Sequence, residues 1–189
     1  RDLKVPVAVF SGLDPVKQSR IFLDINKYQK AVPPELVWDL NGDLLPDEPE
    51  GIISNAVKRI NVDGIIKGSI NIPSHAVKGK KKFAAFCTAL SDLGLATQIT
   101  KSNSKNPYFD KEPKKTSHNL YKGIDEFFAV MRDIFPKDFE KLNRGFILGD
   151  GSGAVMLSLF EKIVKYAGDQ TKRCDSNLMR ECLKPIVND

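Results

Sequence analysis

The sequence predicts an α+β fold that is predominantly helical, with a small sheet near the N-terminus followed by a helical C-terminal part. Two observations predict this fold. The segments 5–10 and 64–72 are short and rich in β-branched side chains, as strands are. In residues 64–72, apolar residues also alternate with other residues, which is the pattern of a strand. Beyond Lys81, apolar residues recur every three or four positions, which is the spacing of helices that bury one face. The two strands are expected to pair with each other.

The first predicted helix follows the strand at residues 5–10. Asp14 can cap this helix through its side-chain oxygen, and Pro15 suits the first turn because that turn needs no N–H donor from it. Apolar residues then follow at helical spacing, and they are Ile21, Phe22, Ile25 and Tyr28.

The next segments are less regular. Residues 35–39 are expected to form a short helical or extended connector, and residues 40–51 an acidic loop. A helix is predicted over residues 47–62, because they carry the apolar stripe Ile52, Ile53, Ala56, Val57 and Ile60. A further helix is predicted over residues 81–93, with Cys87 as a buried thiol on its apolar side.

The C-terminal part is predicted to consist of amphipathic helices. One spans residues 117–135, another begins at Ser152 or Gly153 and continues through Tyr166, and a short one covers residues 175–187. The first of these has an apolar face made of Leu120, Ile124, Phe127, Phe128, Met131 and Ile134.

One stretch of the chain resembles a known family. In residues 5–32 an apolar strand leads into a helix, with matching residues Phe10, Gln18, Phe22, Ile25, Asn26, Gln29, Lys30 and Val32. This pattern resembles the DGQHR-domain family, which includes the DndB-type proteins that accompany DNA phosphorothioation systems. That family is distantly similar to the ParB and sulfiredoxin fold. Residues 64–72, residues 81–93 and the C-terminal helices continue the likeness.

The pentapeptide that names this family is absent, and the two histidines of the chain are His75 and His118. In relatives the motif lies upstream of the strand at residues 5–10, so the resemblance implies a fragment that lacks it. The resemblance also implies that residues 1–95 are the C-terminal part of a ParB-like domain and that residues 117–189 are a helical subdomain. Residues 96–116 have no periodicity and are long for an internal loop, which predicts a mobile basic segment.

Positive charge is concentrated in one region. Residues 78–122 contain ten lysines and three acidic residues, a balance of +7 in a chain whose net charge is +5. This asymmetry indicates a polyanionic partner. The alternative is that the lysines are merely solvated and that an aromatic residue of this region, such as Tyr108, packs on the core. The predicted nucleic-acid contacts are Lys78, Lys80, Lys81, Lys82, Lys101, Lys105, Lys114, Lys115 and Tyr108.

Two further sets of residues are candidates. The glycine-rich stretch before the Ser152 helix is a candidate phosphate loop, although a simple helix-start turn is the favoured interpretation. Its residues are Gly149, Gly151, Ser152 and Gly153. Among the polar residues that carry the family resemblance, Asn26 and Gln29 can hydrogen-bond a base edge or a neighbouring backbone. A structural role, fixing the helix against the missing N-terminal portion, is the favoured interpretation. The polar residues of the family pattern are Gln18, Asn26, Gln29 and Lys30.

Several classes of site are not predicted. Two histidines and three cysteines without CxxC spacing indicate no metal site and no Ser-His-Asp or Cys-His nucleophile. No cofactor is predicted. No apolar run reaches the roughly 18 residues that a membrane span requires. Free cysteines fit a cytoplasmic setting.

The predicted function is that of a non-catalytic, DNA-binding accessory or regulatory protein of a DNA modification or defence system. One alternative is a ParB-like nucleotide hydrolase or nuclease whose active site lies mainly in a missing N-terminal segment. Another is an assembly or scaffold subunit that uses its apolar C-terminal helices. DNA is the expected partner, and a second copy of the chain or partner proteins of a modification system are further ones.

Overall fold

The computed structural model of the chain describes residues 9, 11–29, 32–76, 79, 81–91, 106–140, 152–170 and 172–187. The chain divides into two compact units, Arg1–Val32 and Pro33–Asp189. Helices dominate, and the described strands form a two-stranded sheet, which confirms the predicted, predominantly helical α+β fold. The domain boundaries predicted near residues 95 and 116 stay predictions, since residues 92–105 lie outside the described part.

The first unit contains helix α1, Pro15–Gln29. Asp14 caps it as predicted, because its Oδ1 accepts a hydrogen bond of 2.9 Å from the backbone N–H of Lys17, and this bond lowers the pKa of Asp14. Phe22 and Ile25 of the predicted apolar stripe are 52% and 46% exposed. The predicted strand at residues 5–10 lies outside the described residues, apart from Val9.

The second unit begins with two helices, α2 (Pro34–Leu44) and α3 (Pro49–Asp63). The α3 helix confirms the prediction, and its apolar stripe is at most 1% exposed. The loop predicted from residue 40 is wrong in part, because α2 continues to Leu44. Gly42 allows this helix to approach α3, since a Cβ there would lie 2.5 Å from Ser54 Oγ. This tertiary packing explains why α2 includes Asn41 and Gly42, although both residues have a weak helix propensity.

The second predicted strand is shorter than expected, and its expected partner at residues 5–10 lies outside the described residues apart from Val9. Strand β1 covers only Ile70–Asn71, and it pairs in parallel with strand β2, Lys81–Lys82, in the register Ile70 with Lys81. Residues 64–68 are mainly turn. The alternating sequence pattern of residues 64–72 has another cause. This irregular segment buries Ile66, Ile70 and Ile72 completely, and burial of every second or fourth residue gives the same pattern as a strand.

Asn61 of α3 holds strand β1 in place. Its Nδ2 donates to the backbone oxygen of Ile70 at 3.2 Å, and its Oδ1 accepts from the backbone N–H of Ile70 at 2.9 Å. Asn61 is 4% exposed, so water has little access to these groups. The amide therefore acts as a second hydrogen-bonding edge for a strand that is too short to be stable by itself.

Replacing Asn61 with alanine is expected to lower the free energy of unfolding by about 2 kcal/mol. The buried N–H group of Ile70 would lose its hydrogen bond to Asn61, while the carbonyl oxygen of Ile70 would keep only its 3.3 Å bond from Gly79 N–H. Urea unfolding measures the change. The matched control is Asn177→Ala at an exposed position of the last helix, for which a change within about 0.5 kcal/mol is expected. Equal losses in the two variants would contradict this role for Asn61.

The rest of the second unit is helical. The helices are α4 (Phe83–Ser91), α5 (Pro113–Ile134), α6 (Pro136–Glu140), α7 (Ser152–Asp169) and α8 (Ser176–Val187). The predicted helices α4, α5, α7 and α8 are confirmed, with shifted ends. Helix α4 begins two residues late because Lys81 and Lys82 pair with β1, and α5 begins four residues early, at Pro113.

The core of the second unit includes a chain of aromatic rings. Phe160 of α7 lies 5.4 Å from Phe127 of α5 and 5.9 Å from Tyr108, measured between ring centroids. Cys87 is fully buried, as predicted, and burial raises the pKa of its thiol well above the ordinary value. Tyr166, near the end of α7, is 45% exposed.

Candidate nucleic-acid interface

The structure describes only part of the predicted site. Four of the predicted nucleic-acid contacts lie outside the described residues, namely Lys78, Lys80, Lys101 and Lys105. The same holds for Lys30, Gly149 and Gly151, and the side chains of Asn26 and Gln29 are not described. Gln18 Nε2 donates to the backbone oxygen of Leu13 at 2.7 Å, a local bond within the turn that leads into α1, and the role of the family-pattern residues stays a prediction.

Lys81 is not available to a nucleic acid. It is 4% exposed, and its backbone N–H donates to Ser69 O at 3.0 Å within the sheet. Successive side chains of a strand point to opposite faces, so burying Lys81 turns Lys82 outward to solvent. The prediction of a phosphate contact is therefore wrong for Lys81, while the geometry leaves Lys82 free to make one.

Tyr108 belongs to the core, so the prediction that it contacts nucleic acid is wrong. The side chain is 8% exposed, and its hydroxyl donates to the backbone oxygen of Cys174 at 3.1 Å. Its ring packs on Gly123, where a Cβ would lie 2.3 Å from Tyr108 Cζ. Burial also raises the pKa of Tyr108. Tyr108 therefore packs on the core, as the alternative interpretation predicted.

Residues 106–112 form an ordered lead-in to α5. Tyr108 N–H donates to Asn106 Oδ1 at 2.9 Å. Thr116 is fully buried, and its Oγ1 accepts from Asp110 N–H at 2.9 Å and donates to Asp110 O at 2.8 Å. Asp110 Oδ1 in turn accepts from Glu112 N–H at 2.9 Å. This part of the predicted mobile loop therefore has a defined turn, and it positions the lysines that follow.

The start of α5 carries exposed positive charge. Lys114 and Lys115 lie in its first turn, Lys111 precedes them and Lys122 follows two turns later. Lys115 Nζ lies 2.6 Å from Glu112 Oε1. Within the described part of the chain, the other exposed lysines of this region form no ion pair, and they are Lys82, Lys111, Lys114 and Lys122.

A cleft of about 490 Å³ lies beside this helix. Its walls are residues 107–108, one face of α5 and the connection between α7 and α8. Sequence reasoning missed two of its cations, Lys172 and Arg173, which stand together just after α7. Two adjacent cations just after a predicted helix were the available sequence signal for a binding site. Nothing in the sequence, however, places this pair near Lys122 of α5.

The glycine-rich stretch is described only from Ser152. Helix α7 begins there, as both the phosphate-loop and the helix-start interpretations expect, so the choice between them stays a prediction. Gly153 is buried, and a Cβ at this position would lie 2.6 Å from Phe86 Cζ. The described glycine therefore serves the packing of α7 on α4.

The described residues carry neither a metal-binding cluster nor a membrane-spanning helix. No group of three or more His, Cys, Asp or Glu side chains there is placed to hold a metal ion. None of the described helices is long and apolar enough to cross a membrane. Cys87, Cys174 and Cys182 are free thiols.

No family model, no curated protein and no solved structure matches this chain.

Proposed function

We propose that this protein binds nucleic acid, with DNA as the expected partner, through the exposed lysines at the start of α5 and at Lys82. One observation carries the proposal. Residues 78–122 hold a charge balance of +7, and five of the six lysines described there are exposed, with one of them in an ion pair. Such unneutralised cations attract phosphates and release the counterions of the nucleic acid.

The position of these lysines supports a purpose beyond solubility. The dipole of a helix disfavours cations in its first turn, yet Lys114 and Lys115 both occupy the first turn of α5. A phosphate beside them would interact with the two ammonium groups and with the unpaired N–H groups of that turn. An anion there would convert an unfavourable placement into a favourable one.

The burial of Tyr108 narrows the proposed mode of binding. Without an exposed aromatic at this position, contacts to the phosphate backbone remain, and these position a protein without reading the base sequence. The resemblance to the DGQHR-domain family favours a non-catalytic accessory or regulatory role in a DNA modification or defence system. That role, the cytoplasmic setting and the family itself stay predictions.

The triple variant Lys82→Ala/Lys114→Ala/Lys115→Ala is expected to weaken duplex binding at all sequences alike. The slope of log affinity against log salt should flatten by up to about three units, since each duplex phosphate neutralised contributes roughly 0.9. Fluorescence anisotropy of a labelled duplex over a series of salt concentrations measures this slope.

The matched control replaces three exposed lysines from other parts of the second unit, Lys137, Lys162 and Lys184, with alanine. This variant has the same change in net charge, and it should keep most of the wild-type slope. Equal slopes in the wild type and the first variant, with both proteins shown to be folded by thermal melting, would refute the proposed interface. A protein without affinity for DNA that elutes as an oligomer would instead support the assembly role.

A further inference from the structure

The cleft beside α5 combines side chains from three separate segments. Asn119, Lys122 and Glu126 come from one face of α5, because residues three and four apart on a helix are neighbours. Lys172 and Arg173 come from the connection between α7 and α8. The lining of the cleft therefore carries cations from two separate segments of the chain.

The acidic groups of the cleft are occupied in holding its walls. Glu126 Oε1 accepts a hydrogen bond of 2.8 Å from Ser176 N–H, and Asp175 Oδ1 accepts one of 3.1 Å from Leu178 N–H. Both carboxylates therefore cap the N-terminus of α8. The hydroxyl of Tyr108 is likewise occupied by the backbone oxygen of Cys174.

The cationic groups of the cleft are not occupied in this way. Lys122, Lys172 and Arg173 are all exposed, and in the described part of the chain none of them forms an ion pair. Lys172 Nζ lies 5.7 Å from the centroid of the Tyr166 ring, which orients this side chain without neutralising its charge. Two ammonium groups and one guanidinium thus share the cleft with two carboxylates. The carboxylates are hydrogen-bonded to the backbone but keep their charge, so the lining side chains carry a net charge of +1.

We propose that this cleft binds a phosphate monoester, carried either by a free mononucleotide or by the end of a nucleic-acid strand. A monoester is close to doubly charged and has three terminal oxygens, which suits three cations on two walls. The guanidinium of Arg173 can bind two of these oxygens together, while lysines act as point charges. A volume of about 490 Å³ lies within the usual range for small-molecule sites. This site does not depend on the proposed duplex interface at the start of α5.

The test compares adenosine monophosphate, inorganic phosphate and adenosine by isothermal titration calorimetry on the whole chain. We expect the monophosphate to bind, inorganic phosphate to compete with it and adenosine to show no binding. The variant Lys172→Gln/Arg173→Gln should weaken binding of the monophosphate by roughly tenfold or more for each cation lost, the scale of a hydrogen bond to a charged group. Lys122→Gln, on the α5 side of the cleft, should weaken it by about tenfold.

Two controls separate this site from other binding. Lys162→Gln/Lys184→Gln removes two exposed cations outside the cleft, and the alanine variant at Lys82, Lys114 and Lys115 removes the proposed duplex contacts. Both should bind the monophosphate as the wild type does. Oligonucleotides with and without a terminal phosphate identify the source, and a preference for the phosphorylated end over the free nucleotide would assign the site to strand ends. Equal binding of adenosine and its monophosphate, wild-type affinity in the cleft variants, or no binding at millimolar concentration would overturn the proposal.

Discussion

Replacing Lys58 with methionine is expected to lower the free energy of unfolding by about 4 kcal/mol, because it leaves a buried carboxylate without its cation. Lys58 Nζ lies 2.7 Å from Asp39 Oδ1 and donates to the backbone oxygen of Asp39 at 2.9 Å. The two side chains are only 13% and 4% exposed. Ser74 adds two hydrogen bonds to Asp39, from its N–H at 2.7 Å and its hydroxyl at 2.8 Å. This network joins α2, α3 and the turn after β1.

The matched control is Lys115→Met, which makes the same chemical change at an exposed ion pair with Glu112. A change of less than about 1 kcal/mol is expected there, because solvent screens surface pairs. Urea unfolding at neutral pH measures both variants. Similar losses of unfolding free energy in the two variants would show that the buried Asp39–Lys58 pair stabilises this fold no more than a surface ion pair does.

The effect of pH gives a second test of the same variant. Burial acts to raise the pKa of Asp39, but hydrogen bonds from Lys58 and Ser74 outweigh it and hold the pKa below its ordinary value of 3.8. The contribution of ionised Asp39 to wild-type stability is therefore present above about pH 4 and lost as the pH falls through the lowered pKa. Without the ammonium group, burial dominates and the carboxyl protonates more readily, so the gap between wild type and Lys58→Met should narrow towards low pH.

Phe160→Ala is the second change for which we expect a large effect, a loss of about 3–5 kcal/mol in the free energy of unfolding. Phe160 is fully buried, and its ring contacts those of Tyr108 and Phe127. Removing it leaves a cavity where α7 meets α5 and the segment that leads into α5. A loss of this size is a large fraction of the stability of an ordinary domain.

The control for this variant is Val155→Ala on the same helix, because Val155 is 61% exposed. Its effect should stay within about 0.5 kcal/mol, since it leaves no cavity and changes helix propensity only slightly. Thermal melting and urea unfolding of the two variants check the difference. Similar melting temperatures of the two variants would mean that the contacts among the rings of Tyr108, Phe127 and Phe160 do not hold α5 and α7 together.

The sequence by itself determined where most helices lie. The stripe from Ile52 to Ile60 and the face from Leu120 to Met131 recur at helical spacing, and both are buried in the structure. Asp14 likewise caps α1 as its sequence position predicts. These features depend on neighbours within about four residues along the chain, and such local relations can be read from sequence.

Only the tertiary structure decided what lies between and across the helices. Lys81 is buried because its backbone pairs with Ser69 and β1, and Tyr108 is buried because Gly123 leaves room for its ring. The cleft joins Lys122 to Lys172 and Arg173, which are distant in sequence. Each of these outcomes depends on which segments pack together, and that choice is made by the burial of the whole core and has no local signature.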